Sequence, residues 1–191
     1  MYKETGNEGQ GTGSPSLLSG KRSLFWGSFL GLLVVDQLVK AWVRLNMNEG
    51  QSLSLPFPGV FEIERAANTG VAFGAFEGKG VLLTPIAIAI AIASVVYIYR
   101  HPKESRWNHA AFGLLASGAI GNLIDRLFLH GKVTDMFYFR LIQFPIFNVA
   151  DSCITVATIM LMIGWWREGV AKERKGVKEL GSQAAEGDGV S

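Results

Sequence analysis

Between Gly80 and Tyr99 the chain carries no charged residue. A helix needs roughly 20 residues, at 1.5 Å each, to cross a bilayer hydrocarbon core of about 30 Å. Three further apolar runs approach that length: about Leu24 to Leu45, Ala110 to Leu129 and Phe147 to Trp166. Polar residues interrupt each of them. Asp36, Gln37 and Lys40 fall in the first, Asn122, Asp125 and Arg126 in the next, and Asn148 and Asp151 in the last. Four such runs in 191 residues leave too little polar sequence to cover a soluble core, and charged residues make up 18% against the usual 25% or so. The expected fold is an all-α membrane protein with four transmembrane helices.

Lysine and arginine favour cytoplasmic segments and so set the direction of the spans. With four spans both termini share one side. That side, with the middle loop, holds Lys3, Lys21, Arg22, Arg100, Lys103, Arg106, Arg167, Lys172, Arg174, Lys175 and Lys178, eleven of the 18 basic residues. Both termini are therefore expected in the cytoplasm. Trp26, Trp42, Trp107, Trp165 and Trp166 fall near span ends, as interfacial anchors do. Residues 1–22 and 167–191 are polar and rich in Gly, Ser, Glu or Lys, and are expected to be disordered cytoplasmic tails flanking a membrane domain at 23–166. Residues 21–35 imitate a signal peptide, but no small-residue cleavage site follows, so the first helix is expected to be retained.

The outer loop from Asn46 to Lys79 is more than a linker. Ser52–Leu55 and Val60–Glu64 alternate polar and apolar residues, with Pro56, Pro58 and Gly59 between them, which predicts two short strands and a turn. The expected result is a small β-rich region lying on the outer membrane surface. A net charge of +2 gives no case for nucleic-acid binding. His101, His109 and His130 lack metal-ligand spacing, and with one cysteine neither a disulfide nor a zinc site is expected. Cys153 reads as a small buried apolar residue.

The five aspartates are distributed unevenly. Asp188 lies in the tail, and the topology places Asp36, Asp125, Asp135 and Asp151 toward the outer face. Asp36 sits about 18 Å into the membrane from the inner side. A carboxylate at such depth costs a few kcal/mol at least, so each needs a partner or a function. Asp36 and Lys40 share a helix face at i and i+4, and Asn122–Asp125 and Asn148–Asp151 do so at i and i+3. Arg126 is a second cation near the cluster. Polar groups can simply glue membrane helices together, but here carboxylates outnumber cations. Two carboxylates about 4 Å apart repel by about 4 kcal/mol at an effective dielectric of 20, so one keeps its proton near neutral pH. Such a pair can activate water with one member and polarise a scissile carbonyl with the other. These arguments leave Asp125 and Asp135 open as the partner of Asp151. Asp125 lies beside Arg126, which reads as a tethered, ionised group, whereas Asp135 has no cation directly beside it in sequence. A proton or ion relay is a second reading, weakened by the lack of any aspartate in the inner half. A purely structural clamp is a third.

Five segments resemble one known family. They are Asp36-Gln37-Leu38-Val39-Lys40, Asn68-Thr69-Gly70-Val71-Ala72-Phe73-Gly74, Gly121-Asn122-Leu123-Ile124-Asp125-Arg126, Val133-Thr134-Asp135-Met136-Phe137, and Phe147-Asn148-Val149-Ala150-Asp151-Ser152. In this order they are similar to the motifs of the bacterial lipoprotein signal peptidases, or type II signal peptidases, over about residues 24–166. The resemblance implies a four-helix aspartyl endopeptidase of the inner membrane, with its active site at the periplasmic face. It would cleave diacylglyceryl-modified prolipoproteins just before the lipidated cysteine. It implies Asp135 and Asp151 as the catalytic pair, supported by Asp36, Lys40, Asn68, Gly70, Asn122, Asp125, Arg126, Asn148 and Ala150. It further implies no cofactor or metal, inhibition by globomycin-type cyclic peptides, membrane lipid as surroundings, and a monomer. Asn68 also reads as an Asx-turn residue, and Phe73 and Phe76 as either a cover over the site or loop anchors. One residue more than the family pattern separates Asp125 from Asp135, near His130-Gly131, and is expected to be absorbed by the loop.

Overall fold

The structure, a computed structural model, describes residues 15–70 and 83–187. Val71 to Gly74, Phe76, and both chain ends lie outside these residues. Helix α1 (Pro15–Asn46) leads into strands β1 (Ser52–Phe57) and β2 (Phe61–Asn68). Helices α2 (Thr84–Arg100) and α3 (Arg106–Phe128) follow, then strand β3 (Val133–Tyr138), a 3-10 turn (Arg140–Ile142) and helix α4 (Val149–Gly187).

Among the described residues, three helical segments are long and apolar enough to cross a membrane: Gly20–Asn46, Arg106–Phe128 and Val149–Val177. The fourth, α2, is an apolar helix of 17 residues, which at 1.5 Å each falls a few ångströms short of a hydrocarbon core. Helices extend into both segments expected as tails. The described part of α1 reaches back to Pro15, and α4 runs on past Trp166 to Gly187. No proline follows Pro145, and extending an existing helix through Ala, Glu, Lys and Arg avoids the cost of nucleation.

α3 is the central helix, and α1, α2 and α4 each pack on it. Small residues allow the approach. A Cβ at Gly113 would collide with Ser28 Oγ and the Phe25 carbonyl of α1, and one at Gly118 with the Ala150 carbonyl of α4. Phe25, Ile98, Ala111, Phe112, Ala116 and Leu161 fill the core at one end of the bundle. Val43, Met47 and Met136 join α1 to the sheet at the other.

The three strands form an antiparallel sheet in the order β1-β2-β3. The hairpin was legible, whereas β3, expected as loop, is a strand because Val133, Thr134, Phe137 and Tyr138 favour extended backbone and β2 offers a free edge. The register sets Ala66 opposite Asp135 and Asn68 opposite Val133. The chain from α3 to β3 turns through His130 (φ 56°) and Gly131 (φ 85°). Gly131 N–H donates to the Arg126 carbonyl at 2.8 Å, closing the helix end with left-handed residues. Phe147, two residues before α4, exchanges backbone hydrogen bonds with Phe137 (3.1 and 2.8 Å), which ties the start of α4 to β3.

Candidate active site

The four aspartates converge at the sheet end of the bundle, in two different settings. On α1, Lys40 Nζ lies 2.9 Å from Asp36 Oδ2, and both residues are fully buried. The ammonium also donates to Asn122 Oδ1 (2.9 Å) and the Gly121 carbonyl (3.3 Å). A buried charge is tolerated only with such a shell. Asp36 Oδ1 accepts from the backbone N–H of Ala150 at 2.9 Å. That N–H belongs to the first turn of α4, where no helical acceptor exists, so the α1 carboxylate anchors the start of α4. A Cβ on Gly121 would fall 2.6 Å from Asp36 Oδ2 and 3.2 Å from Ala150 Cβ. Only glycine leaves room for this three-helix junction.

Asp125 is held in a similar way. Arg44 Nη1 lies 3.1 Å from its Oδ1 and Lys40 Nζ 3.8 Å from its Oδ2. Its Oδ2 also accepts from the Thr134 N–H at 2.8 Å, and Arg44 Nη1 donates to Thr134 Oγ1 at 3.1 Å. The expectation that neighbouring Arg126 tethers Asp125 is corrected. Adjacent helical residues point about 100° apart, and the tether comes from Arg44 on another helix. Arg44 and Thr134 are the site residues that sequence reasoning missed. The signal was present, because Asp36, Lys40 and Arg44 recur every four residues on one face of α1.

Asp135 and Asp151 are held by amides. The Asn148 side-chain oxygen accepts the Asp151 N–H (2.9 Å), and Asp151 Oδ2 accepts the Asn148 N–H (3.2 Å). This reciprocal pair is a capping box at the start of α4. The same asparagine donates from Nδ2 to Asp135 Oδ1 (2.6 Å) and to Asn122 Oδ1 (3.1 Å). Asn122 Nδ2 donates to Asp151 Oδ1 at 2.7 Å. Asn68 Nδ2 donates to Asp135 Oδ2 at 2.9 Å, while its own oxygen accepts the Gly70 N–H at 2.9 Å. Asn68 thus makes the Asx turn and also orients a carboxylate. Three asparagines from β2, α3 and the start of α4 frame the two carboxylates.

A cavity of about 550 Å³ opens beside this frame. Asp135, Asp151, Asn68, Gly70, Asn122 and Arg126 supply its polar lining, and Phe144 to Phe147 with Ile154 and Val156 its apolar wall. Asp36 and Asp125 do not line it. Arg126 lines the cavity, and its buried Nε has no hydrogen-bond partner among the described residues. Burial pushes the Asp135 carboxyl up from 3.8 to about 7, and the charge of Asp151 adds to that effect. Hydrogen bonds from Asn68 and Asn148 and the charge of Lys40 pull the other way. The arrangement can therefore hold one proton on Asp135 at neutral pH beside a second carboxylate, facing a cavity with one polar and one apolar side.

Residues 28–167 match the family model described as signal peptidase (SPase) II. The lipoprotein signal peptidase of Gloeobacter violaceus is 39% identical over 150 residues, covering 78% of this chain and 86% of that protein. The lipoprotein signal peptidase of a Cyanothece species is 38% identical over 152 residues, covering 76% and 85%. Among solved structures, a bacterial membrane enzyme determined by the in meso method at 2.3 Å superposes with a TM-score of 0.70 at 31% identity, covering 80% of this chain and 92% of that one.

Proposed function

The chain belongs to the signal peptidase II family, and from that premise we propose that Asp135 and Asp151 are its catalytic pair. Membership makes it an aspartic membrane protease that processes the signal peptides of prolipoproteins. The observation that carries the assignment is the cavity: of the four clustered aspartates, only Asp135 and Asp151 line it.

Asp135 carries the shared proton at neutral pH and donates to the scissile carbonyl oxygen. Asp151, accepting from Asn122 and from the helix start, takes a proton from water as its oxygen attacks the carbonyl carbon. When the tetrahedral diol collapses, that proton passes to the leaving amine, the C–N bond breaks, and a diol hydroxyl returns a proton to Asp135 as the carbonyl re-forms. Asn68, Asn122 and Asn148 fix the two carboxyl groups, a preorganisation that removes rotamer freedom before substrate arrives. Arg126 has free donors for a peptide carbonyl. Asp36, Lys40, Gly70, Asp125 and Ala150 hold the frame.

The apolar wall from Phe144 to Phe147 with Ile154 and Val156 suits a diacylglyceryl-modified cysteine and the apolar end of its signal peptide. We assign residues 23–166 as the peptidase domain of a monomer, with both termini cytoplasmic and the site at the outer face of the inner membrane. The basic residues at the opposite end support that direction. A globomycin-type cyclic peptide would occupy the same cavity. The test is a gel-shift cleavage assay on a diacylglyceryl-modified prolipoprotein in detergent. Wild type should cleave it, and Asp135→Asn and Asp151→Asn should each lose at least about 10³-fold in rate. Cleavage by either variant at the wild-type rate would overturn the assignment.

A further inference from the structure

The end of the bundle opposite the carboxylates carries a second feature. α1 and α2 barely touch each other, because both pack on α3. A groove of about 300 Å³ lies between them, with no polar surface in its lining. Phe25, Trp26 and Phe29 of α1 form one wall, Ile92 and Val95 of α2 the other, and Ala116 of α3 the floor. The small floor residue gives the groove depth, and the aromatic wall is held by edge-to-face contacts along α1 (Phe25–Trp26 at 5.2 Å, Trp26–Phe29 at 5.6 Å).

A cation spans its mouth. Arg22 lies one turn before Phe25 and Trp26 on the same face of α1, and its guanidinium carbon sits 4.8 Å from the centre of the Tyr99 ring on α2. The ring takes the face of the guanidinium. Arg22 Nε is buried and has no hydrogen-bond partner among the described residues. Lys21 adds a second positive charge beside it and reaches the Lys103 carbonyl at 3.2 Å. His109, one heptad before Ala116 on the same side of α3, likewise leaves Nε2 buried and unpartnered.

We propose that this groove is a phospholipid site, with one acyl chain between α1 and α2 and an anionic phosphate headgroup on Arg22 and Lys21. The charge at the mouth commits the occupant to a lipid with an anionic head. A neutral lipid would fill the groove and leave the Arg22 donor unmet, and buried donors without acceptors are rare. The bound lipid would wedge between two helices that have little direct contact and fix their spacing.

Native mass spectrometry of the full-length protein in detergent tests this, with palmitoyl-oleoyl phosphatidylglycerol and the matching diacylglycerol as probes. Wild type should retain one phosphatidylglycerol at least about fivefold more strongly than diacylglycerol, the factor expected for a cation at an anionic headgroup. Arg22→Gln should abolish that preference while still binding the chain. Ile92→Trp, at a position 58% exposed, should fill the groove and reduce retention of both lipids. Thermal unfolding and precursor cleavage at the wild-type level establish that both variants are folded. Equal retention of the two lipids by wild type overturns the headgroup assignment. Wild-type retention by Ile92→Trp overturns the groove.

Discussion

Asp36 and Asp125 face Lys40 and Arg44 at 2.9 to 3.8 Å. Asp135 and Asp151, in the same cluster, touch asparagine side chains and backbone N–H groups instead. The first pair is closed in by helices, and the second lines a cavity. Residue type is the same throughout, so the difference lies in the partner. A fixed cation pairs with a carboxylate and makes it a structural counter-charge. An amide orients a carboxylate without fixing its charge, and burial then brings the Asp135 titration to about 7, where a proton can be given and regained.

Removing one member of the cation-held pair is the strongest way to break this comparison. Asp36→Asn leaves Lys40 buried without its nearest counter-charge and sets an amide NH2 against its ammonium, while the remaining amide oxygen can still accept the Ala150 N–H. It should cost about 3–5 kcal/mol in unfolding free energy, read as a fall in thermal midpoint in detergent. Molecules that remain folded should still cleave. Asn148→Ala strikes the other pair, since Asn148 contacts both Asp135 and Asp151. The rate should fall about 10²-fold through lost orientation, and loss of the helix cap should cost about 1 kcal/mol. Equal rates for Asn148→Ala and wild type would dissolve the amide-frame account.

Arg44→Ala sharpens the boundary between the pairs. Arg44 reaches Asp125 and Thr134, the residue before Asp135. Its side chain is 25% exposed, so solvent screens part of its effect. Stability should fall by about 1–2 kcal/mol, and Arg44→Lys should restore part of it, because a single nitrogen makes both contacts. A further effect is in pH. Between 3.8 and about 7 the folded state holds a proton on Asp135 that the unfolded chain has released. The contribution of this group to stability is therefore fully present below 3.8 and is lost as pH rises through about 7. Asp135→Asn should flatten that part of the stability profile. In wild type, kcat/KM should decline above about pH 7 as the donated proton is lost.

Much of the fold was legible because membrane spans obey a one-dimensional rule of length and apolarity. The Asp36–Lys40 pair followed from helical spacing and stands at 2.9 Å. β3 was hidden, because a six-residue segment becomes a strand by pairing with β2, a partner more than sixty residues away in sequence. The helical stretch after Trp166 was hidden by composition that resembles a solvated tail. Within the site, the residues were legible and their pairing was not. Sequence placed Arg126 next to Asp125, whereas geometry gives Asp125 to Arg44 and turns Arg126 to the cavity. The choice between Asp125 and Asp135 rests on which carboxylate reaches open space, a property of packing that no spacing rule contains.

One panel tests the division of labour directly: Asp36→Asn, Asp125→Asn, Asp135→Asn and Asp151→Asn, each assayed for cleavage of a diacylglyceryl-modified precursor and normalised to folded protein. The account predicts that the Asp135 and Asp151 variants are inactive and near wild type in stability at neutral pH. The Asp36 and Asp125 variants should be less stable, with cleavage per folded molecule within about tenfold of wild type. An active Asp135→Asn alongside an inactive, stable Asp125→Asn would contradict it.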